Sequence, residues 1–303
     1  MKSFGFALLA SLFVFLNAEA QIFSLTRDQL IKYTALSPYE RFPDGRPKVP
    51  DALLEKVKGL TSEELLVLQR LGYRNQYADG FRILHPGKKL VGRALTMQMV
   101  PQRPDIESVD AAERKAKGLV GPLQNQTGID LLGPGDVWVC DALGGDLIGI
   151  IGDNLAYYIW KTTGAGFVIE GGIRDLEGSA EFDVAGYFKG TSPNAKVMYT
   201  TTGMNVPVKI GNATVMPGDV VLGDRAGVWF IPPHLVEQVV AEAEVNRIHD
   251  EWTRKKFDEG KYKSNDIYPN PKDPALIREY QEYLKQRLGA KAYEDYLKRQ
   301  SGK

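Results

Sequence analysis

The stretch at residues 149–177, which completes a strand-helix-strand unit, constrains the fold of this chain more than any other stretch. Its predicted elements are a preceding buried strand at 137–140, a helix capped by Asp153 or Asn154 and ending near Gly164, and a strand at 167–169 that is stopped by Gly171-Gly172. Such a crossover joins parallel neighbours in one sheet. The sequence therefore predicts an α/β fold built around this unit.

Polar residues follow both strands of the unit. Gly152, Asp153 and Asn154 open the helix, and Arg174 and Asp175 come after the second strand. Ligands of open α/β sheets collect at the carboxyl ends of the strands. Free N–H groups and a guanidinium suit a carboxylate or phosphate, and the two aspartates suit a hard divalent metal. The alternative interpretation is a surface Arg-Asp pair beside an ordinary capping aspartate.

The first twenty residues have the pattern of a secretory signal. Lys2 precedes an apolar run at 4–16, and Ala-Glu-Ala at 18–20 precedes Gln21. A membrane anchor is the rival interpretation, but the run is shorter than the ~20 residues that span a bilayer. We expect residues 1–20 to be a signal peptide, and the mature chain to be exported to the periplasm or the extracellular space, with no membrane attachment after cleavage.

The overall charge excludes some classes of partner. The chain has 38 Lys and Arg against 38 Asp and Glu, so its formal net charge is zero, and no nucleic-acid partner is expected. Cys140 is the single cysteine. It excludes an intramolecular disulfide and a cysteine-cluster zinc site, and we expect it to be a buried apolar residue.

Residues on either side of the unit predict further elements. Arg41, Arg46 and Lys48 lie in a proline-rich stretch; they either reach an anionic ligand of a neighbouring subunit or, in the preferred interpretation, belong to an extended arm around the core. The other predicted elements are a strand at 90–100, a short helix at 180–187, strands at 196–201, 206–210, 213–216, 220–222 and 228–231, and a long helix at 235–258. Closely spaced strands with tight turns indicate an antiparallel or barrel-like layer attached to the parallel unit.

Several common catalytic arrangements lack the necessary residues. The three histidines, His85, His234 and His249, lie far apart in the sequence, which disfavours a Ser-His-Asp triad or a three-histidine zinc site. Neither a P-loop nor a GxGxxG fingerprint occurs. The remaining chemistry is that of carboxylates, arginine and a hard metal ion.

Six segments together carry a resemblance to a known family. They are LVGRALT at 90–96, PGDVWVCD at 134–141, GDNLA at 152–156, GFVIEGGIRD at 166–175, PGDVVLGD at 217–224 and GVWFIP at 227–232. In this order they resemble the RraA-like family, which includes the regulator of ribonuclease activity A and the 4-hydroxy-4-methyl-2-oxoglutarate aldolases. The resemblance implies a swivelling β/β/α domain at 90–260, with a helical N-terminal arm at 21–89 and a helical C-terminal tail at 261–303.

The resemblance also implies an assembly and a set of site residues. Family members form trimers, sometimes paired into hexamers, with sites at the subunit interfaces. The resemblance implies that Arg174 binds pyruvate and that Asp175 ligates Mg²⁺ or Mn²⁺. It implies that the substrate carboxylate is bound by the backbone amides of Gly152, Asp153, Asn154 and Leu155, and that Asp153 is an acidic group that acts through water. It also implies a carboxylate from an adjacent subunit, at Glu251 or Asp250.

One departure bears on the substrate. The aldolase pattern has an acidic residue three positions after the metal aspartate, where this chain has Gly178, and its nearest carboxylate is Glu177. We therefore predict a divalent-metal-dependent lyase of the pyruvate aldolase or oxaloacetate decarboxylase type. Its predicted substrate is a 2-oxo acid, and a sugar-derived 2-oxo acid is one candidate. The alternative is a non-catalytic ring that binds or regulates a partner, and retention of Arg174 with Asp175 favours the enzyme.

Overall fold

A computed structural model of the chain describes residues 24–116, 118, 124–143, 148–194 and 199–301. The predicted signal peptide at 1–20 lies outside these residues.

Strands and helices alternate between residues 90 and 191, with short helices before this region and, after it, a run of strands followed by the C-terminal helices. The strands are β1 Tyr77–Ala78, β2 Arg82–Ile83, β3 Leu90–Pro101, β4 Asp136–Asp141, β5 Gly166–Ile173, β6 Ala185–Thr191, β7 Tyr199–Met204, β8 Val208–Ile210, β9 Ala213–Val215, β10 Val220–Gly223 and β11 Val228–Ile231. The helices are α1 Arg27–Tyr33, α2 Asp51–Lys58, α3 Val67–Arg70, α4 Pro104–Ala116, α5 Gln124–Ile129, α6 Asp153–Thr163, α7 Leu176–Ser179, α8 Val236–Asp258, α9 Ser264–Ile267, α10 Pro274–Leu288 and α11 Ala290–Ser301. Short 3₁₀ turns precede α3 and α8.

The described strands form one large mixed sheet and a small hairpin. The large sheet has the order β1-β11-β10-β3-β4-β5-β6-β2, and β7 pairs with β3 beside that path. Strands β3, β4, β5 and β6 are parallel neighbours, and the remaining pairs are antiparallel. Helix α6 crosses between β4 and β5, so the predicted parallel unit and the predicted α/β class are confirmed.

The long strand β3 has a different partner at each end of one edge. Its residues 90–93 pair with β10, and its residues 97–101 pair with β7, with an irregularity between Gln98 and Met99. Its other edge runs parallel to β4. The antiparallel layer predicted from the closely spaced strands is thus joined to the parallel strands through β3.

Apolar side chains cover the sheet on both faces. Trp138 and Cys140 of β4 belong to one apolar cluster with α6, whereas Val137 and Val139 belong to a second cluster with the β8-β9 hairpin. Successive strand residues point to opposite faces, so these two clusters lie on opposite sides of the sheet. Cys140 is fully buried, as predicted, and its burial raises the pKa of the thiol.

Two predictions about the parallel strands are wrong. The predicted helix at 180–187 is replaced by the shorter α7 and the strand β6. The first four residues of β6 are all buried, and a strand covered on both faces lacks the alternation that identifies strands in a sequence. Strand β5 also continues through Gly171 and Gly172 to Ile173, with a bulge after Ile169. This extension carries the chain directly to Arg174.

The stretch around Arg46 is fastened to the sheet by a buried ion pair. Arg46 is 4% exposed and Asp136 of β4 is 2% exposed. Arg46 Nη1 lies 2.9 Å from Asp136 Oδ1, and Nη2 lies 3.3 Å from Oδ2. Asp44 Oδ2 accepts a further bond from Arg46 Nε at 2.7 Å. The Arg46 guanidinium is therefore bound within the core. This favours the interpretation that the stretch is an arm around the core over the interpretation that it reaches a ligand of a neighbouring subunit.

The C-terminal helices pack along α8. Lys256 is 7% exposed, and its Nζ lies 2.6 Å from a carboxylate oxygen of Glu279 on α10. Trp252 of α8 is buried with Ile267 and Leu276 from the same tail. Within the described ranges, no helix has both the length and the apolar character needed to cross a membrane.

A buried carboxyl group in the turn before β10 gives a pH-dependent stability. Burial raises the pKa of Asp219 from 3.8 to about 7, although Oδ2 accepts a bond from Met216 N–H at 2.8 Å. Between pH 4 and pH 7 the folded chain holds a proton there that the unfolded chain has lost, so this group makes the fold less stable as the pH rises.

We expect Asp219→Asn to stabilise the protein more at pH 8 than at pH 5. Asparagine keeps an acceptor for Met216 N–H but has no proton to lose, and the difference between the two pH values is on the order of 2 kcal/mol. Urea unfolding of both proteins at each pH measures it. An equal change at both pH values would contradict the prediction.

Candidate functional site

Backbone pairing brings the start of α6 beside the end of β5. Gly149 bridges Gly172, and Ile150 N–H donates to the Gly172 carbonyl at 2.9 Å. Arg174 N–H then donates to the Ile151 carbonyl at 2.9 Å. The segment before α6 is thus an extra, short partner of β5, and it fixes residues 152–155 next to Arg174 and Asp175. The two polar clusters predicted from the sequence meet at one edge of the sheet.

Arg174 and Asp175 lie at this edge of the sheet, and their charged groups are accessible. We call residues 152–155, Arg174 and Asp175 the rim. Arg174 Nε lies 3.4 Å from Asp175 Oδ2, and the two side chains are 39% and 37% exposed. Asp175 has a left-handed backbone conformation, with φ 53° and ψ 49°. That conformation is uncommon outside glycine, although aspartate tolerates it better than most residues. A strained residue that carries a carboxylate at a sheet edge is typical of functional sites.

Gly152 permits the close approach of these groups. A Cβ atom at position 152 would lie 2.3 Å from Asp175 Oδ2 and 3.1 Å from Arg174 Nε. Any larger residue would push the carboxylate and the guanidinium away from the start of α6. The glycine therefore keeps the helix start, the arginine and the aspartate together.

The start of α6 differs from the predicted cap. Its N-cap is Gly152, and no side chain caps the helix, so the predicted capping by Asp153 or Asn154 is wrong. Asp153 is instead the first helical residue, and its Oδ1 accepts a bond from Asn154 N–H at 2.7 Å. The first N–H groups of a helix have no partner within the helix. A ligand carboxylate at residues 152–155 would therefore compete with Asp153 for the Asn154 N–H.

Asp153 occupies the space that a side chain at position 178 would need. A Cβ atom on Gly178 would lie 2.7 Å from Asp153 Oδ2 and 3.1 Å from Asp153 Cβ. With this arrangement, an acidic residue at 178 and the observed position of Asp153 exclude each other. This chain has Gly178 where the aldolase pattern has an acidic residue, so Asp153 is the carboxylate at this point of the rim.

The donor atoms at the rim suit a hard divalent ion, although the described residues contain no group of three or more His, Cys, Asp or Glu that could hold a metal. Asp175 offers an accessible carboxylate. Mg²⁺ is commonly bound by only one or two carboxylates, and takes its remaining ligands from water and substrate oxygens. The residues present fit such an ion, with Asp175 as the direct ligand.

Glu251 lies elsewhere in the same chain. It is on α8, where it contacts Tyr283 and Arg287 of α10. The pKa of Glu251 is lowered mainly by the hydrogen bond from Tyr283, and next by the hydrogen bond from Arg287. A cavity of about 1210 Å³ between the arm, α8 and the tail is lined by Glu251 and Asp250, and by no residue of 152–155 or 174–175. The role of Glu251 in a neighbouring subunit's site stays a prediction.

Three aromatic residues near the rim were not predicted as part of the site. Tyr157 of α6 contacts Trp160 and Phe182 edge-on, with ring centroids 5.9 Å and 5.2 Å apart. Trp160 and Phe182 stack on each other at 6.0 Å. We call Tyr157, Trp160 and Phe182 the aromatic shelf. Its sequence signal was the spacing of Tyr157 four residues after Asp153, which puts both on one side of the helix.

Comparisons with known proteins show what this chain is similar to. The family model for RraA-like proteins, described as Aldolase/RraA, matches residues 47–229, more than half of the chain. A protein of Halalkalibacterium halodurans, provisionally named a 4-hydroxy-4-methyl-2-oxoglutarate aldolase, is 37% identical over 119 residues, 39% of this chain and 56% of its own length. The 4-hydroxy-4-methyl-2-oxoglutarate aldolase of Thermus thermophilus is 29% identical over 100 residues, 33% of this chain and 61% of its own length.

A solved structure is similar over a larger part of the chain. It is that of Streptomyces coelicolor RraAS2, described as an unusual member of the RNase ES inhibitor RraA protein family. The TM-score is 0.60 and the sequence identity is 28%, over 69% of this chain and 100% of that one.

Proposed function

The chain belongs to the RraA-like family, and on that premise we propose that it is a divalent-metal-dependent lyase acting on a 2-oxo acid. The reaction is of the pyruvate aldolase or oxaloacetate decarboxylase type. The observation that carries the proposal is the convergence of Arg174, Asp175 in its left-handed conformation and the open start of α6 at one edge of the sheet. Curated relatives named as 4-hydroxy-4-methyl-2-oxoglutarate aldolases support it.

In this proposal the rim binds and orients the 2-oxo acid. The N–H groups at the start of α6 and the Arg174 guanidinium neutralise the substrate carboxylate and 2-oxo oxygen. Cleavage of the C3–C4 bond of a 4-hydroxy-2-oxo acid leaves an electron pair on the pyruvate half, and in this proposal the Arg174 guanidinium stabilises the negative charge that develops there. Asp175 is the residue that would hold Mg²⁺ or Mn²⁺. When bound, the ion supplies a Lewis acid that polarises the 2-oxo group.

In this proposal Asp153 is the carboxylate that takes part in proton transfer. Its Oδ1 is held by Asn154 N–H, and its Oδ2 faces Gly178, where no side chain blocks it. In the cleavage (retro-aldol) direction the 4-hydroxyl proton leaves through water to the Asp153 carboxylate, the C3–C4 bond breaks as C4 becomes a carbonyl, and C3 of the pyruvate half then gains a proton. The products are pyruvate and a carbonyl compound. With an oxaloacetate-like acid they are pyruvate and carbon dioxide.

A non-catalytic ring that binds or regulates a partner is the second candidate. The likeness to RraAS2, a member of the RNase ES inhibitor RraA protein family, favours it. The two candidates differ in whether Arg174 and Asp175 act on a small 2-oxo acid.

The assembly and the location of the protein belong to the same proposal. We infer a homotrimer or homohexamer in which Glu251, or Asp250, of one subunit completes the site of the next. We also infer that the chain works after export, in the periplasm or outside the cell. Light scattering on the purified chain tests the first inference, and mass spectrometry of the mature N-terminus tests the second.

A screen of 2-oxo acids tests the proposed reaction. We expect pyruvate to be released from at least one 4-hydroxy-2-oxo acid or oxaloacetate-like acid when Mg²⁺ or Mn²⁺ is added, and release to stop when the ion is chelated. Lactate dehydrogenase coupled to NADH oxidation measures the pyruvate. No release from any acid, with either ion, would favour the non-catalytic ring.

A further inference from the structure

We propose that the aromatic shelf is a subsite for an aryl group carried at the far end of the 2-oxo acid. This inference rests on the proposed function, because the carboxylate end of the ligand is assigned to the rim at Arg174. It adds the chemical class of the substituent, which the rim alone does not specify.

The shelf continues directly from the rim along one seam. Helix α6 packs against the segment after Asp175 at successive levels: Gly152 approaches Asp175, Asp153 approaches Gly178, and Tyr157 contacts Phe182. Tyr157 is one helical turn, about 6 Å, below Asp153. The Asp153 side chain packs against Gly178 and fills the seam at that level. A ligand bound at the helix start would therefore pass over Asp153, on the same side of α6, to reach Tyr157.

The exposure of Tyr157 favours binding over simple packing. Trp160 and Phe182 are partly buried against the core and already hold α6 and the segment after α7 together. The Tyr157 side chain lies outside them and is 46% exposed. Its ring is edge-on to both neighbours, at 63° and 86°. This leaves an open aromatic corner, and a further ring placed in it gains the edge-to-face and offset contacts that aromatic rings prefer.

Lys161 gives the aromatic shelf a positive charge. Its Nζ lies 4.5 Å from the Trp160 centroid and 5.5 Å from the Tyr157 centroid. The ammonium disfavours a cationic substituent, and it attracts the electron-rich face of an aryl ring. An uncharged or acid-bearing aryl group fits both the rings and the cation.

The test compares two ligands that differ only in a phenyl group. Calorimetric titration with 2-oxobutanoate and with 2-oxo-4-phenylbutanoate, in the presence of Mg²⁺, gives the ratio of their affinities. We expect the wild type to bind the phenyl compound about 3- to 10-fold more tightly. Tyr157→Ser is expected to bring the ratio close to one and to leave 2-oxobutanoate binding unchanged.

Tyr158→Ser is the matched control. Tyr158 is the next residue of the same helix and is 44% exposed, but it is about 100° further round the helix. This substitution is expected to keep the full ratio.

The outcomes separate the two proposals. If neither ligand binds, the proposed function fails, and the subsite fails with it. If 2-oxobutanoate binds and the phenyl compound binds no more tightly, only the subsite is wrong. Equal weakening of both ligands in Tyr157→Ser would mean that the shelf only supports the rim. A fall in oligomer mass with an unchanged affinity ratio would mean that the shelf is a contact between copies of the chain. Either result would overturn the subsite.

Discussion

Asp175→Asn is expected to lower lyase turnover on the order of 10²-fold or more, with partial recovery at high Mg²⁺ or Mn²⁺. Asparagine keeps the shape of the side chain but is a weaker ligand for a hard ion. It also tolerates the left-handed backbone at this position. Because the side chain is 37% exposed at the rim, the melting temperature of the metal-free protein should stay close to that of the wild type.

Arg174→Lys is the companion variant. Lysine keeps the positive charge and loses the planar fork, so binding of the 2-oxo acid should weaken while metal binding remains. Loss of one preorganised donor to a developing oxyanion costs on the order of 10²-fold in rate. Steady-state kinetics and metal titration on the same preparations separate the two effects.

Glu177→Gln is the control for these two variants. Glu177 is exposed and lies two residues after Asp175, and its carboxylate has no role in the proposed site. It should keep wild-type turnover and metal affinity. Wild-type rates in both Asp175→Asn and Arg174→Lys would remove the site assignment and leave the non-catalytic ring.

Breaking the buried pair between Arg46 and Asp136 should have the largest effect on stability. Arg46→Met leaves the Asp136 carboxylate, 2% exposed, without its cation. Removal of one partner of a buried ion pair costs about 3 to 5 kcal/mol, because the remaining charge stays buried. Urea unfolding followed by circular dichroism measures the loss, and the double variant Arg46→Met with Asp136→Leu should recover a large part of it.

An exposed ion pair of the same type serves as the control. Arg103 and Asp105 contact each other with side chains that are 67% and 64% exposed. Arg103→Met should change stability little, because an exposed ion pair contributes little to it. If Arg46→Met costs no more than this control, the arm is not fastened by the buried pair.

The fold could be predicted wherever the signal was local. The long helix predicted at 235–258 has the predicted extent to within a residue, because apolar spacing, proline and charged ends all lie within the segment. Strand β6 was missed because its burial depends on the layers above and below it, which a single segment does not reveal. The partner of Arg46 lies 90 residues away, and no local pattern indicates it.

The site could be predicted in its composition but not in its detailed contacts. The carboxyl ends of two parallel strands must meet at one edge, so the proximity of residues 152–155 to Arg174 follows from topology. Whether Gly152 or Asp153 caps α6 depends on small backbone rotations. The contact between Asp153 and Gly178 depends on where α7 lies, and α7 itself was not predicted.

The divided edge of β3 determines when the sheet can be completed during synthesis. The first half of this edge can pair only after β10, which ends at Gly223, has been synthesised. The second half can pair only after β7, which starts at Tyr199, has been synthesised. A nascent chain that has reached only β6 therefore carries a central strand with one bare edge. Unpaired strand edges promote association between chains. Ribosome-bound fragments that end between β6 and β10 are consequently the stage at which this protein most depends on being shielded from its neighbours.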